Sequence, residues 1–253
     1  MATSCIKWVD ENDNNGNGNN GNGNGSNNLK KGQIIIKVYP DSGNEVLFGA
    51  ITTKITIDWG DGVVDKLTPN GVVQEFTHTF ANKNLQTIKI ESEKLVGFGV
   101  GDDYTFKELY FGEMNELERL FCSSSLTVLE IKKANSLKIL NCRGNELTSL
   151  DIKHLTALEA LDCSWNGLTS LDVRGLNNIK SINCNFNQLS SNVLNSLFDA
   201  LPSLSSSKPP YWDDDYYLYE DNYPYGWVGV FANPGYEGCN KAIAENKGWK
   251  LFY

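Results

Sequence analysis

Apolar residues recur at a fixed interval in the second half of the chain, with the same polar residues between them. Segments that begin at Leu137, Leu158 and Ile179 share the pattern [LI]-x-x-[LI]-x-C-x-x-N-x-L. A weaker copy begins at Leu117, and a degenerate copy begins at Leu95. About five repeats of roughly 20–22 residues predict a right-handed solenoid, because stacked repeats bury an apolar face that one repeat cannot bury alone.

Two positions of the repeat predict internal ladders. Cysteine recurs at the sixth position about every 21 residues, which favours stacked thiols in a tight core over a disulfide framework. Asparagine recurs at the ninth position, where its amide is expected to pair buried backbone groups as the coil turns. The predicted ladders contain Cys122, Cys142, Cys163 and Cys184, and Asn145, Asn166 and Asn187.

Residues 31–94 alternate between apolar and polar positions over several short segments. These segments are Gln33–Tyr39, Lys54–Trp59, Val72–Phe80 and Thr87–Ile90, and turn signals such as Gly60-Asp61-Gly62 lie between them. Short alternating strands separated by turns predict a small β-sandwich.

The residues after the repeats predict a cap for the solenoid. Apolar residues of Ser190–Leu204 follow helical spacing, with Ser191 as the expected N-cap and Pro202 at the end. A short helix over Lys241–Lys247 and a final strand would then cover the open end of the solenoid.

The sandwich residues resemble a known domain. Asp58-Trp59-Gly60-Asp61-Gly62, His78-Thr79-Phe80 and Thr87-Ile88-Lys89-Ile90 resemble the turn and strands of a PKD-type, immunoglobulin-like domain. The resemblance implies a spacer or weak binder on a surface protein, and a structural rather than catalytic role for His78.

The repeats and the C-terminal residues resemble a Bacteroidetes-type surface leucine-rich-repeat family. The shared features are the cysteine-containing repeat, the helical last repeat and the ending Asn233-Pro234-Gly235, Cys239, Ala244 and Lys247-Gly248-Trp249. The resemblance implies export to the cell surface and attachment to a protein or to host matrix. We therefore expect an α+β, mostly β chain with a disordered tether (1–30), a sandwich (31–94) and a capped leucine-rich-repeat domain (95–253).

The N-terminal residues favour a tethered surface protein. Residues 10–28 are almost all Asn, Gly and acidic residues, and such a composition cannot offset the entropy cost of ordering. Ala2-Thr3-Ser4-Cys5 resembles the end of a bacterial lipoprotein signal, so Cys5 is the expected lipid attachment site. The apolar part of a signal is absent, which favours its earlier removal and a cell-surface or outer-membrane location. A free cysteine at a disordered terminus is the alternative.

Charge and composition narrow the classes of function. The net charge of −9 and the pI of about 4.8 disfavour nucleic acid as a partner. No long apolar run is present, so we expect no transmembrane segment. The two histidines and the absence of a catalytic fingerprint favour a protein without enzyme activity and without a cofactor.

One candidate binding surface is the concave face of the solenoid. It is expected to expose Phe121, Arg143, Asp162, Trp165 and Phe186, and aromatic residues beside arginine are typical of interface hot spots. Trp165 and Phe186 have an alternative role as packing residues at the edge of a coil.

The other candidate surface is an acidic aromatic segment, residues 211–227. Its expected contacts are Tyr211, Trp212, Tyr216 and Tyr219, which could stack on sugar rings, and its aspartates could bind Ca²⁺. Packing of these aromatics on the solenoid is the alternative. The leading hypothesis is an adhesin-like protein that binds a protein or host-matrix ligand, and glycan binding is the second hypothesis.

Overall fold

The computed structural model describes residues 29–40, 43, 45–100, 105–204 and 225–252. This part of the chain is mostly β and contains two helices, α1 (Ser191–Ala200) and α2 (Ala242–Glu245). The strands are β1 (Gln33–Tyr39), β2 (Glu45–Ile51), β3 (Ile55–Asp58), β4 (Val64–Leu67), β5 (Val73–Thr79), β6 (Gln86–Ser92), β7 (Gly97–Val100), β8 (Thr105–Glu113), β9 (Arg119–Cys122), β10 (Val128–Lys133), β11 (Ile139–Asn141), β12 (Ala160–Asp162), β13 (Ser181–Asn183), β14 (Trp227–Gly229) and β15 (Lys250–Phe252).

The strands form two sheets. One has the order β10-β8-β1-β6-β3-β4, and the other has the order β15-β14-β13-β12-β11-β9-β7-β2-β5. Strand β1 shows how the sequence selects the buried face, because Ile34, Ile36 and Val38 are buried and alternate with partly exposed residues. The predicted strand over Gln33–Tyr39 is confirmed at both ends.

The repeats form a β-solenoid of about six turns, from β9 to β15. Neighbouring strands are parallel and in register, so that each turn places the same repeat position in one column. The copies expected at Leu117, Leu137, Leu158 and Ile179 are four of these turns, and the degenerate copy at Leu95 contains β7, which pairs in parallel with β9. Strand β15 is the predicted final strand, whereas β14 was not predicted because residues 190–226 separate it from the regular repeat.

Both sheets continue from the N-terminal strands into the solenoid. Strand β7 pairs with β2 on one side in antiparallel fashion and with β9 on the other in parallel fashion. Strand β8 likewise pairs with β1 and with β10. One buried cluster extends from Ile34 to Trp249. The sequence pattern changes between residues 94 and 95, but the hydrogen-bonded sheets continue across that point.

Helix α1 replaces part of a repeat and closes one side of the last turns. Its start corrects one prediction: the hydroxyl of Ser190 accepts the backbone N–H of Val193 at 3.4 Å, whereas Ser191 Oγ donates to Gly235 O at 3.2 Å. Ser190 is therefore the N-cap, one residue before the expected one. The helix ends before Pro202, as predicted.

The C-terminal residues tie α1 to the last strand. Lys247 Nζ donates to the carbonyl oxygens of Phe198, Asp199 and Leu201 at 3.2, 2.6 and 2.9 Å. These carbonyls belong to the end of α1, where a cation offsets the helix dipole. The buried Trp249 donates its indole N–H to Pro202 O at 2.8 Å. The Lys-Gly-Trp ending thus has a structural role.

Candidate functional site

The asparagine ladder satisfies the backbone at the corner of each coil. Asn187 Nδ2 donates to Cys163 O at 2.9 Å and to Cys184 O at 3.2 Å, and its Oδ1 accepts the N–H of Leu168 at 3.0 Å. Asn166 and Asn145 bridge the preceding coils in the same way. In all three residues the amide oxygen and the amide nitrogen are both hydrogen-bonded to the backbone. The ladder therefore stabilises the coil, and its amide groups are not placed to bind a ligand.

The cysteine ladder lies in the core. Cys122, Cys142, Cys163 and Cys184 have no exposed surface, and all are free thiols. Burial raises the pKa of each thiol, to about 12 for Cys184. Because the thiolate is the reactive form, we expect these cysteines to react slowly with thiol reagents in the folded protein.

The eighth position of the repeat is held in the left-handed backbone region. Gly144 has φ 69°, Trp165 56°, Phe186 54° and Ala232 56°. The backbone N–H groups of Gly144 and Trp165 donate to the seventh-position carbonyls of the next coil, both at 3.0 Å, so the two residues have the same setting. Residues other than glycine rarely adopt this left-handed conformation, which costs them about 1–2 kcal/mol. Two consecutive coils nevertheless place large aromatic residues at this position.

These aromatics begin a continuous row along the edge of the sheet. The rings of Trp165 and Phe186 are stacked, with centroids 3.9 Å apart and planes 17° apart. Phe186 meets Phe231 edge to face at 5.7 Å, and Phe231 meets Tyr236 in the same way at 5.5 Å. Lys241 Nζ lies 3.8 Å from the centroid of the Tyr236 ring. We call Trp165, Phe186, Phe231 and Tyr236 the aromatic row.

The aromatic row is packed together but stays outside the core. Trp165 is 50% exposed and Phe231 is 38% exposed, whereas Phe186 and Tyr236 are partly buried. Stacking and edge-to-face contacts fix the rings without removing them from solvent. The row therefore combines the two roles, packing and exposure, that the sequence left open for Trp165 and Phe186.

The fifth position carries a polar column on the outer face of the sheet. Asp162 is buried, its Oδ1 accepts the N–H of Ser164 at 2.9 Å, and its Oδ2 accepts Asn183 Nδ2 at 2.9 Å. Burial raises the pKa of Asp162, and the hydrogen bonds from Ser164 and Asn183 oppose this rise only in part. Asp162 is thus placed to hold neighbouring coils together.

The other expected contact residues occupy different surroundings. Phe121 is half-buried on the same outer face, and Arg143 is exposed at the seventh position beside Gly144. Tyr211, Trp212, Tyr216 and Tyr219 lie outside the described residues, as do Cys5 and residues 1–28 of the predicted tether.

Sequence reasoning missed three residues of this region. Asn233 continues the asparagine ladder, because its Nδ2 donates to Cys184 O and Val230 O at 2.9 Å and its Oδ1 accepts the N–H of Leu189 at 3.0 Å. Phe231 and Tyr236 complete the aromatic row. The available signal was the segment Trp227–Asn233, which keeps the apolar and Asn positions of the repeat with valine in place of cysteine.

A second polar cluster lies at the turn after β3. His78 Nε2 lies 2.7 Å from Asp61 Oδ2, and the imidazole stacks on the buried Trp59 with centroids 4.7 Å apart. Partial burial of Asp61 raises its pKa, but hydrogen bonds with His78 and Val63 outweigh it and hold the pKa below its usual value. These contacts join the Gly-Asp-Gly turn to β5, and Asp61 is the partner that the sequence alone did not assign to His78.

The fold and this surface define a mostly β protein built on a β-solenoid of about six turns. No family model, curated protein or solved structure matches the chain. Among the described residues, no group of three His, Cys, Asp or Glu side chains is placed to hold a metal ion. No helix within the described ranges is long and apolar enough to cross a membrane.

Proposed function

We propose that this chain is a non-enzymatic binding protein of the leucine-rich-repeat type, which recognises a protein ligand through the aromatic row and the adjoining outer face of the sheet. The stacked, partly exposed pair Trp165 and Phe186 is the observation that carries the proposal. Two large aromatics in a left-handed backbone are costly for folding alone, and such strain is concentrated at functional sites.

The chemistry of the row favours a protein ligand. Tryptophan, tyrosine and arginine are the residues most enriched among binding hot spots, and rigid rings lose little conformational entropy on binding. Trp165 and Arg143 are both exposed at this edge of the sheet. Asp162, by contrast, is buried and hydrogen-bonded within the chain, so we leave it out of the proposed contact surface.

The proposal includes the wider setting of the solenoid. The repeat pattern and the asparagine ladder support a leucine-rich-repeat identity, and the His78, Trp59 and Asp61 contacts support a PKD-like N-terminal unit. A cell-surface location with a lipid at Cys5 fits the proposed function, because attachment to host matrix requires an outward-facing protein. Mass spectrometry of the protein from its native membrane fraction would test the lipid directly.

The function is tested by binding to immobilised collagen, laminin and fibronectin, with a glycan array run in parallel. The test variant is Phe121→Ala/Trp165→Ala/Phe186→Ala, and Tyr39→Ala, which removes an exposed aromatic of β1, is the matched control. We expect saturable binding to a matrix protein that the triple variant loses by at least about tenfold and the control keeps. Glycan binding that survives the triple variant would instead move the site to residues 211–227 and overturn the proposal.

A further inference from the structure

The aromatic row ends one coil before Trp165, where the eighth position carries no side chain. We call the space beside this residue the Gly144 step. In the direction of the N-terminus, the coil before Trp165 carries Gly144 at the eighth position. Within the part of the chain that the structure describes, a Cβ built on Gly144 would meet no atom of a non-neighbouring residue within 4 Å, so these residues leave the space for a side chain there open. Trp165 is half exposed, and Phe186 covers one face of its indole. Because the eighth positions of consecutive coils form one column, the indole face turned away from Phe186 belongs to the side of Gly144.

The size of this step suits one planar ring. Adjacent coils are separated by about 4.7–4.9 Å, the spacing of neighbouring strands. Trp165 and Phe186 span one such spacing with a ring-to-ring distance of 3.9 Å. Gly144 has the same backbone hydrogen bond and a similar φ, so a ring that fills its step would continue the stack at a comparable distance.

The groups around the step favour an aromatic side chain over a sugar. A sugar ring needs directed hydrogen bonds to replace the water around its hydroxyls. The amides of Asn145 and Asn166 are occupied by backbone groups, and the Ser164 hydroxyl donates to Asp162. An aromatic ring needs only a flat apolar partner, which the indole provides.

The exposed Arg143 indicates what should flank that ring. It precedes Gly144 directly and lies near enough to Asp162 to lower the pKa of that carboxyl group, against the larger effect of burial. A guanidinium in this place attracts a carboxylate of the ligand and can form two parallel hydrogen bonds to it.

We propose that the Gly144 step binds an aromatic side chain of a protein ligand, stacked on Trp165 and flanked by an acidic residue that pairs with Arg143. This inference rests on the proposed function, because it specifies the ligand chemistry of the same surface. Gly144 has a defined part in it: the missing side chain leaves room for the ring that the ligand supplies.

The test uses two short probe peptides, acetyl-Glu-Trp-Glu-amide and acetyl-Lys-Trp-Lys-amide, and methyl-N-acetylglucosaminide as the sugar probe. Binding is followed by the chemical shift of the Trp165 indole N–H, assigned with Trp165→Phe. We expect the glutamate peptide to shift this resonance saturably and the sugar to leave it unchanged. Because the chain carries a net charge of −9, non-specific attraction would favour the lysine peptide, so a preference for glutamate reports Arg143.

The decisive variant is Gly144→Phe, which fills the step with a ring from the chain itself. Trp165 and Phe186 show that the eighth position accepts an aromatic residue, and thermal unfolding verifies that the variant folds. We expect Gly144→Phe to weaken binding of the glutamate peptide by at least about tenfold, and Arg143→Ala by up to about fivefold. Gly144→Ala, which leaves the step open, should bind as the wild type does.

Several outcomes would overturn the inference. Equal binding of the peptide by Gly144→Phe and wild type would show that the step is not the site. A stronger response to the sugar, or no response to either peptide, would exclude the proposed ligand chemistry. If matrix-protein binding is lost in the Phe121/Trp165/Phe186 triple variant but kept in Gly144→Phe, the proposed function stands and this inference fails. Peptide binding without any matrix-protein binding would support the Gly144 step as a binding site and would count against the proposed binding of matrix proteins.

Discussion

The indole of Trp165 and the ring of Phe186 lie 3.9 Å apart, and both residues have positive φ. They occupy the same repeat position in consecutive coils, so the regular backbone places one ring on the other. The left-handed conformation costs each residue about 1–2 kcal/mol. Stacking returns about 0.5–1.5 kcal/mol. For Trp165 alone, the strain is about as large as the stacking energy of the whole pair, so stability gives little reason to keep a tryptophan here.

Substitution of Trp165 by glycine should leave the fold almost as stable as it is. Glycine removes the stacking energy but adopts positive φ without strain. Alanine loses the stacking and keeps the strain. We expect the free energy of unfolding of Trp165→Gly, measured by urea denaturation, to lie within about 1 kcal/mol of the wild-type value. The free energy of unfolding of Trp165→Ala should be about 1 kcal/mol lower than that of Trp165→Gly. An alanine variant as stable as the glycine variant would show that the turn is unstrained.

Substitution of Asn187 should be far more costly than that of a surface asparagine. Asn187→Ala leaves the buried N–H of Leu168 without its partner and removes one of the two amide donors from the carbonyls of Cys163 and Cys184, which keep Asn166 and Asn233. We expect a loss of about 2–4 kcal/mol in the free energy of unfolding. The exposed Asn177 is the control, and Asn177→Ala should change stability by less than about 0.5 kcal/mol. Similar losses for the two variants would contradict a ladder that supports the coil.

The asparagine ladder also shows how far the sequence predicts this fold. Asn145, Asn166 and Asn187 were identifiable because they recur at a constant interval with cysteine three residues before each. Asn233 makes the same bonds, but residues 190–226 interrupt the interval and Val230 stands in place of cysteine. Periodicity predicts the regular coils, and it fails where an insertion separates residues that hydrogen bonding brings together.

The candidate site was harder to predict for a different physical reason. Trp165 and Phe186 were chosen as exposed aromatics, but the sequence gives no sign that their backbone is left-handed or that their rings stack. Phe231 and Tyr236 join the row through edge-to-face contacts between residues that are distant from Trp165 in the sequence. The N-terminal strand β2 was missed as well, because it contains Gly49 and Ala50 and adjoins the turn at Gly43.

Lys247 should stabilise the C-terminal cap through the carbonyl oxygens at the end of α1. Lys247→Met keeps the apolar stem of the side chain and removes the three bonds to Phe198, Asp199 and Leu201. We expect a loss of about 1–3 kcal/mol in the free energy of unfolding. Lys250→Met, at an exposed position of β15, should change it by less than about 0.5 kcal/mol. If the two variants unfold alike, the ammonium group does not cap the helix.

The thiols should fall into two classes of reactivity. In a Cys5→Ser variant, Cys239 is the one described cysteine that is not fully buried, and burial raises the pKa of the four ladder thiols. We expect a disulfide reagent to label one thiol in the folded protein and five after unfolding in urea. Labelling of two or more thiols under native conditions would indicate that the coils open locally or that the cysteines are not in the core.

The two aspartates Asp162 and Asp172 should respond to pH in opposite directions. Burial raises the pKa of Asp162 above the ordinary value of 3.8, so ionisation disfavours the folded state at neutral pH and this penalty disappears as pH falls through the folded pKa. Hydrogen bonds from the side chain and backbone of Arg174 lower the pKa of Asp172 to about 2, so its contribution is present at neutral pH and is lost as pH falls toward that value.

Asn substitutions at these two positions isolate the effects. Asn141 and Asn183 already occupy the fifth position in neighbouring coils, so Asp162→Asn should fit there in size; its amide loses one of the hydrogen bonds that Asp162 accepts, and this loss is the same at every pH. The quantity compared is the free energy of unfolding of each variant minus that of wild type. For Asp162→Asn this difference should be more favourable at pH 7 than at pH 3.8. For Asp172→Asn it should be less favourable at pH 7 than at low pH. Urea denaturation of wild type and Asp162→Asn at pH 7 and 3.8, and of wild type and Asp172→Asn at pH 7 and about 2, measures these differences. The Asp172 and Arg174 pair should contribute little in added salt. A stability difference for Asp162→Asn that does not vary with pH would mean that the outer face of the sheet is hydrated at Asp162. The fifth-position column would then be available to a ligand rather than closed by its own hydrogen bonds.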